Sequence, residues 1–275
     1  MTDHNHEWLL IDFDTPYEDA DLVSEVLWSL GVAAVEELDG MHGRTILRTS
    51  LGSDSSAEVA SVISRFADVS ARPVTFPSSV ADTWRQFVAP THVSEDIWLV
   101  PQWCEAPPGR GILIEPFDTF GMGNHPTTVL TLRGALASTR GSDLVLDLGS
   151  GSGVLSVAMA SLVGCSVEAH DIASQGEAAL LHNARLNGVE DRVAWLTGVG
   201  TAHDRRYDVV MANILAPVLR QLAADIQSVT KQNGRIVLSG VREDQVKDVV
   251  GHYAECDVTT VEVLDGWAGV VLLRR

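Results

Sequence analysis

Cysteine and lysine are the scarce residues of this 275-residue chain. The three cysteines, Cys104, Cys165 and Cys256, lie far apart, with no C-x-x-C pair and no metal-ligand spacing. That argues against a disulfide framework and against a metal site. It fits a reduced, cytoplasmic setting, with the thiols read as small buried hydrophobes. Lysine occurs only at Lys231 and Lys247, which an arginine-favouring codon bias explains as simply as any function. No apolar run reaches about 18 residues, so no transmembrane helix is expected. The opening Met1-Thr2-Asp3-His4 lacks the basic and apolar segments of a signal peptide. Positive charge is short overall: the formal net charge is −18. Direct nucleic-acid binding is therefore not expected. A cationic partner, or solubility alone, suits the excess of acid.

Within this acidic chain the first 80 residues carry 14 acids against four arginines, a charge of −10. Residues 1–76 read as a small α+β unit. Trp8–Phe13 is strand-like. Ala20–Leu30 has apolar residues at helical spacing (Leu22, Val23, Val26, Leu27, Leu30) and is stopped by Gly31. Val32–Leu38 and Arg44–Arg48 read as a strand pair turned at Asp39-Gly40. Ala57–Phe66 is a second amphipathic helix, and Val74–Phe76 a last strand. The order βαββαβ is that of a ferredoxin-like sandwich. A joint follows over residues 77–95, with a short helix at Asp82–Phe87. Ile97–Val100 and Ile112–Ile114 read as strands on either side of Pro107-Pro108-Gly109.

From Asp143 strands and helices alternate. Strands are expected at Leu144–Leu148, Val167–Asp171, Val193–Leu196, Val209–Asn213 and Arg235–Gly240. Helices are expected at Val154–Leu162, Glu177–Leu186, Val218–Val229 and Asp244–Tyr253. This is the pattern of a doubly wound α/β sheet. Val258–Val263 and Val270–Leu273 leave no room for a helix between them and read as an antiparallel pair. Seven strands with a closing hairpin resemble class I methyltransferases rather than dinucleotide dehydrogenases.

The first strand of that domain ends in Asp147 and runs into Gly149-Ser150-Gly151-Ser152-Gly153. Glycines there permit positive φ and close approach of a ligand. A pyrophosphate loop follows G-x-G-x-x-G. Here the third glycine comes one residue early and Val154 stands where it belongs. The loop therefore suits a cofactor whose methionine part crosses the glycines, with the positive end of the following helix close by. Asp171, 22 residues after Gly149, ends the second strand and is placed to accept ribose hydroxyls. Asn213-Ile214-Leu215-Ala216-Pro217 ends the fourth strand, at the edge of the sheet where substrates bind. Asn213 reads equally as an acceptor that orients an amine and as a helix N-cap. Ahead of the first strand, Phe120–Thr128 is a shaped loop leading into a helix over Val129–Leu136. Thr128 suits its first turn. His125 reads as structural before it reads as a ligand or base, and no metal site is expected.

Together these residues resemble the ribosomal protein L11 methyltransferase family, PrmA. The likeness rests on Phe120-Gly-Met-Gly-Asn-His-Pro-Thr-Thr128 against the family's FGTGTHPTT, and on Asp147–Gly153 against D-x-G-C-G-S-G. Asp171-Ile172 matches the start of DIDP, and Asn213-Ile-Leu-Ala216 matches NILA. Trp84-Arg-Gln-Phe and Val100-Pro-Gln-Trp103 are similar to its W-x-x-x-F and VPxW pieces. The resemblance implies S-adenosylmethionine as cofactor, contacted by Phe120, Thr128, Gly149, Gly151, Gly153, Asp171 and Asn213. It implies methylation of lysine ε-amines and of the N-terminal α-amine of a large-subunit ribosomal protein. Asn213 and the carbonyls of Ile214 and Leu215 are expected to orient the amine. Residues 1–76 become the substrate-recognition domain, 77–95 a linker helix, and 96–275 the methyltransferase domain of a cytoplasmic monomer. Departures from the family pattern fall at Met122, Asn124, Ser150 and Ala173-Ser174. The rival readings are a methyltransferase for another protein or a small amine, and an inert cofactor-binding assembly factor.

Overall fold

A computed structural model describes residues 7–30, 32, 35–51, 56–77, 88–115, 123–173, 175–197 and 206–275. The chain divides into two compact units, Met1–Val88 and Ala89–Arg275.

In the first unit, β1 (Glu7–Pro16), α1 (Ala20–Ser29), β2 (Val35–Asp39), β3 (Arg44–Thr49), α2 (Ser56–Ile63) and β4 (Ser70–Pro77) follow in the expected order. The sheet order is β2-β3-β1-β4 with every neighbouring pair antiparallel, the ferredoxin-like arrangement. Alternation in β1 turns Ile11 and Phe13 inward onto Val23 and Leu27 of α1 and Val62 of α2. The β2–β3 turn lies beyond Asp39-Gly40: His42 (φ 56) and Gly43 (φ 77) take the left-handed conformations that suit the twist of a hairpin. Between the inward residues of β1, Asp12 is only 1% exposed. Its carboxylate accepts from Arg48 Nε at 2.6 Å and from Arg72 Nη2 at 3.0 Å. A buried carboxylate needs such partners, and the Arg48 hydrogen bond leads in holding its pKa below the usual range.

The joint expected over 77–95 falls mostly on residues outside those described, Trp84 among them. Within it, Thr91–Ser94 forms β5, part of the second unit. β5, β6 (Ile97–Pro101) and β7 (Arg110–Ile114) make a small sheet. The strands around Pro107-Pro108-Gly109 run parallel, so their connection crosses over rather than folding back.

The main sheet contains β8 (Leu144–Leu148), β9 (Ser166–His170), β10 (Val193–Trp195), β11 (Tyr207–Asn213), β12 (Thr230–Arg242), β13 (Cys256–Leu264) and β14 (Trp267–Arg274). Their order is β10-β9-β8-β11-β12-β14-β13. The first five run parallel, and β14 is antiparallel to both its neighbours. The β13–β14 connection is two residues, Asp265 (φ 51) and Gly266 (φ 75), shorter than the sequence suggested. One face is covered by α3 (Pro126–Ser138), α4 (Val154–Val163), α5 (Gly176–Leu186) and the small sheet. The other is covered by α6 (Ala216–Gln221), α7 (Ala223–Val229) and α8 (Val246–Val250). The single helix expected over Val218–Val229 is broken at Leu222, whose ψ of 3° separates α6 from α7. Of the cysteines, Cys165 is in the core, whereas Cys104 and Cys256 are half-buried. Among the described residues no helix is long and apolar enough to cross a membrane.

Candidate cofactor and amine site

The carboxyl ends of β8, β9 and β11 converge, as the crevice of an open α/β sheet requires. All three loop glycines are left-handed: Gly149 (φ 79), Gly151 (φ 53) and Gly153 (φ 78). Two of them also permit close packing. A Cβ on Gly149 would come within 2.2 Å of Ile214 Cγ2, and one on Gly153 within 2.6 Å of Leu180 Cδ1. The loop is pinned by its backbone. Gly149 and Ser150 N–H both donate to the His170 carbonyl, at 2.8 and 3.1 Å, and Gly153 N–H donates to the Ser150 carbonyl at 2.8 Å.

Asp147 is fully buried beneath this loop. Its Oδ2 accepts from the Ser156 hydroxyl (2.6 Å) and from the Ser156 amide (3.1 Å). The positive end of α4 is thus already faced by a carboxylate from within the chain. Among the described residues Asp147 Oδ1 has no hydrogen-bond partner, and neither has the buried Ser150 Oγ. Burial is the main cause that raises the Asp147 pKa to about 6. The Ser156 hydrogen bonds oppose the rise, and Asp171 adds to it.

Asp171 lies against the loop. Its Oδ2 accepts from Gly151 N–H at 2.7 Å and its Oδ1 from Ala173 N–H at 2.8 Å. Each carboxylate oxygen retains capacity for a hydroxyl. The next residue, Ile172, is 90% exposed. It is a large apolar side chain standing in solvent beside the Asp171 carboxylate. The sequence reading took Ile172 only as part of a motif.

Thr128 and Asn213, 85 residues apart in sequence, meet here: Asn213 Nδ2 lies 3.5 Å from Thr128 Oγ1. Asn213 does not cap α6. The N-cap is Leu215, with no side-chain cap bond. The Leu215 carbonyl accepts from Val218 and Leu219 N–H, both at 3.0 Å. Leu215, expected as an amine acceptor, thus has its carbonyl in the first turn of α6. Ile214 is clasped from two sides. Gly149 meets its side chain, and Gly240 (φ 81) meets its backbone, where a Cβ would stand 2.3 Å from the Ile214 oxygen. Gly240 escaped the sequence reading, where it looked only like the end of a strand.

His125 is the N-cap of α3. Its Nδ1 accepts from Thr127 N–H at 3.3 Å and lies 2.7 Å from Thr127 Oγ1. Trp267 packs edge-on to the ring at 5.0 Å, and burial lowers the imidazole pKa. These contacts are those of a structural histidine. Asn124 is exposed, and Gly123 (φ 92) packs on Leu99 of β6. Phe120 and Met122, like Ser174, lie outside the described residues.

Residues 78–275 match the profile of the family "Ribosomal protein L11 methyltransferase (PrmA)". A ribosomal protein L11 methyltransferase of Acinetobacter baumannii (strain AYE) is 32% identical over 286 residues. That alignment covers 93% of this chain and 94% of the relative. A ribosomal protein L11 methyltransferase of Neisseria meningitidis is 37% identical over 189 residues, covering 68% of this chain and 63% of the relative. One from Thiobacillus denitrificans is 39% identical with the same coverage. The chain thus spans just under two thirds of the length of these last two. Among solved structures, a ribosomal protein L11 methylase from Lactobacillus delbrueckii subsp. bulgaricus superposes with a TM-score of 0.63 at 28% identity. It covers 68% of this chain and 100% of its own. By profile, sequence and fold, this chain belongs to the ribosomal protein L11 methyltransferase (PrmA) family.

Proposed function

We propose that this protein methylates amines of ribosomal protein L11, the lysine ε-amines and the N-terminal α-amine. Membership of a methyltransferase family with this fold makes S-adenosylmethionine the methyl donor, and that cofactor supplies a methyl group activated by a sulfonium. The site's chemistry fits it. The Asp171 carboxylate takes the ribose hydroxyls, Ile172 faces the adenine, and Gly149, Gly151 and Gly153 let the backbone approach the methionine part. Asp147 Oδ1 and Ser150 Oγ, both buried without a partner among the described residues, are the groups for its ammonium and polar end.

The observation that carries the amine reading is the meeting of Asn213 with Thr128. With Nδ2 turned to the threonine hydroxyl, Asn213 keeps Oδ1 as an acceptor for an amine N–H. The carbonyl of Ile214, whose side chain lies against Gly149 and whose backbone lies against Gly240, is the second acceptor. An amine must be neutral to attack, and lysine's ordinary pKa is about 10.4. Withdrawing the amine from water would favour its uncharged form, and the two acceptors align it. Alignment alone is worth roughly 7–11 kcal/mol in favourable cases. Phe120, next to this loop in sequence, is retained as a cofactor contact on the family motif.

Residues 1–76, within the N-terminal unit, hold the protein substrate. Its −10 charge over the first 80 residues supports a lysine-rich target. The protein works as a cytoplasmic monomer without binding nucleic acid directly. Incubation with radiolabelled S-adenosylmethionine and total ribosomal proteins is expected to label one band, that of L11. Label on a different protein would redirect the substrate assignment, and a complete lack of transfer would favour an inert assembly factor.

A further inference from the structure

Asn183 of α5 is fully buried and belongs to no motif considered above. Its Oδ1 accepts from Glu115 N–H at 2.8 Å. Its Nδ2 donates to the Glu115 carbonyl and to the Ser152 carbonyl, both at 2.9 Å. One turn on, Asn187 treats Leu113 in the same way. Its Oδ1 accepts from Leu113 N–H at 3.0 Å, and its Nδ2 donates to the Leu113 carbonyl at 2.8 Å. The spacing explains the match. Four residues of helix rise about 6 Å, and two residues of strand about 6.6 Å. Amides at i and i+4 thus pair with alternate residues of an extended segment as a neighbouring strand would.

Only Asn183 continues to the glycine loop. The peptide joining Ser152 to Gly153 is thereby held at both ends. Its carbonyl accepts from Asn183 Nδ2, and its N–H donates to the Ser150 carbonyl at 2.8 Å. That peptide plane sets the left-handed turn from Gly151 to Gly153, and with it the line of backbone along which the cofactor's methionine part passes. We infer that Asn183 is a positioning residue for the cofactor, locking the glycine loop to the end of β7. The inference rests on the cofactor reading above.

Asn187, the C-cap of α5, provides the control: it has the same side chain, pairs with Leu113 of β7 and donates to the Asn183 carbonyl at 2.8 Å, and among the described residues it makes no bond to the loop. In Asn183→Asp the shape and the acceptor for Glu115 are kept, while both donors become a carboxylate oxygen facing two carbonyls. Calorimetry with S-adenosylhomocysteine on the full chain is expected to show affinity at least about tenfold weaker. The KM for S-adenosylmethionine should rise in parallel, with the KM for the protein substrate unchanged. Asn187→Asp is expected to lower the thermal midpoint but to bind S-adenosylhomocysteine within about twofold of the parent protein. Should Asn183→Asp not fold, Asn183→Ser and Asn187→Ser make the same comparison with a smaller loss. Equal effects of the two positions on cofactor affinity, or parental affinity in the Asn183 variant, would overturn the inference. Failure of the parent protein itself to bind S-adenosylhomocysteine would instead remove the cofactor reading beneath it.

Discussion

At the scale of single residues, the most constrained group is Asp147. One of its oxygens is satisfied by Ser156, and the other is buried without a partner among the described residues. Ionising such a group costs more than it would in water, hence a pKa of about 6. An ammonium arriving at Oδ1 favours the ionised form, so the sign of the pH effect is fixed. Cofactor affinity is full above that pKa and falls as pH drops through it, because the neutral acid cannot pair with a cation. Calorimetric affinity for S-adenosylhomocysteine should be roughly fourfold weaker at pH 5.5 than at pH 7.5. Asp147→Asn should bind more weakly and lose that dependence; an unchanged pH profile would detach Asp147 from the ammonium. At Asp171 the expectation is simpler. Asp171→Ala removes the hydroxyl acceptors together with the brace on Gly151, and affinity should fall by about 100-fold or more. Parental affinity would take Asp171 off the ribose.

Among the elements, the strand ends decide the site. Gly240 in β12 lets the backbone of Ile214 lie directly against it. A methyl group there meets a carbonyl rather than a pliable side chain, and φ is +81, so relief is unavailable in either direction. Gly240→Ala should cost roughly 2–4 kcal/mol from left-handed strain plus overpacking. It should also displace Asn213, lowering kcat more than cofactor affinity. A parental thermal midpoint and kcat would contradict this reading.

The same elements show what the sequence disclosed. The glycine turn, an acid at the end of the second strand and the alternation of strands and helices were legible, because positive φ, an acidic strand end and apolar periodicity each leave a local trace. Gly240 was not, since a glycine's neighbour across the sheet is a tertiary fact. Asn183 and Asn187 were not, because polar residues four apart on a helix read as a solvated face. That the Leu215 carbonyl enters the first turn of α6 was not legible either, because a strand-to-helix junction does not reveal which carbonyl the turn takes up. Strand β12 was read short because Lys231-Gln232-Asn233-Gly234 looks like a loop; the strand carries these residues as an irregularity between Thr230, paired with Tyr207, and Arg235, paired with Val209.

For the whole molecule, the two units have separate cores: one cluster spans residues 11–69, and two others span residues 93–272. Each therefore has the means to fold alone. A chain lacking residues 1–76 should bind S-adenosylhomocysteine with parental affinity and fail to methylate ribosomal protein L11. Full transfer by the truncated chain would strip the N-terminal unit of its docking role. The central claim, amine methylation of L11, is tested most directly by intact mass of purified, unmethylated L11 after incubation with the enzyme and S-adenosylmethionine. The account predicts mass increments of whole methyl groups, mapped by fragmentation to lysines and the N-terminal amine, and strongly reduced with Asn213→Ala. An L11 mass unchanged by an enzyme that demonstrably binds the cofactor would contradict it.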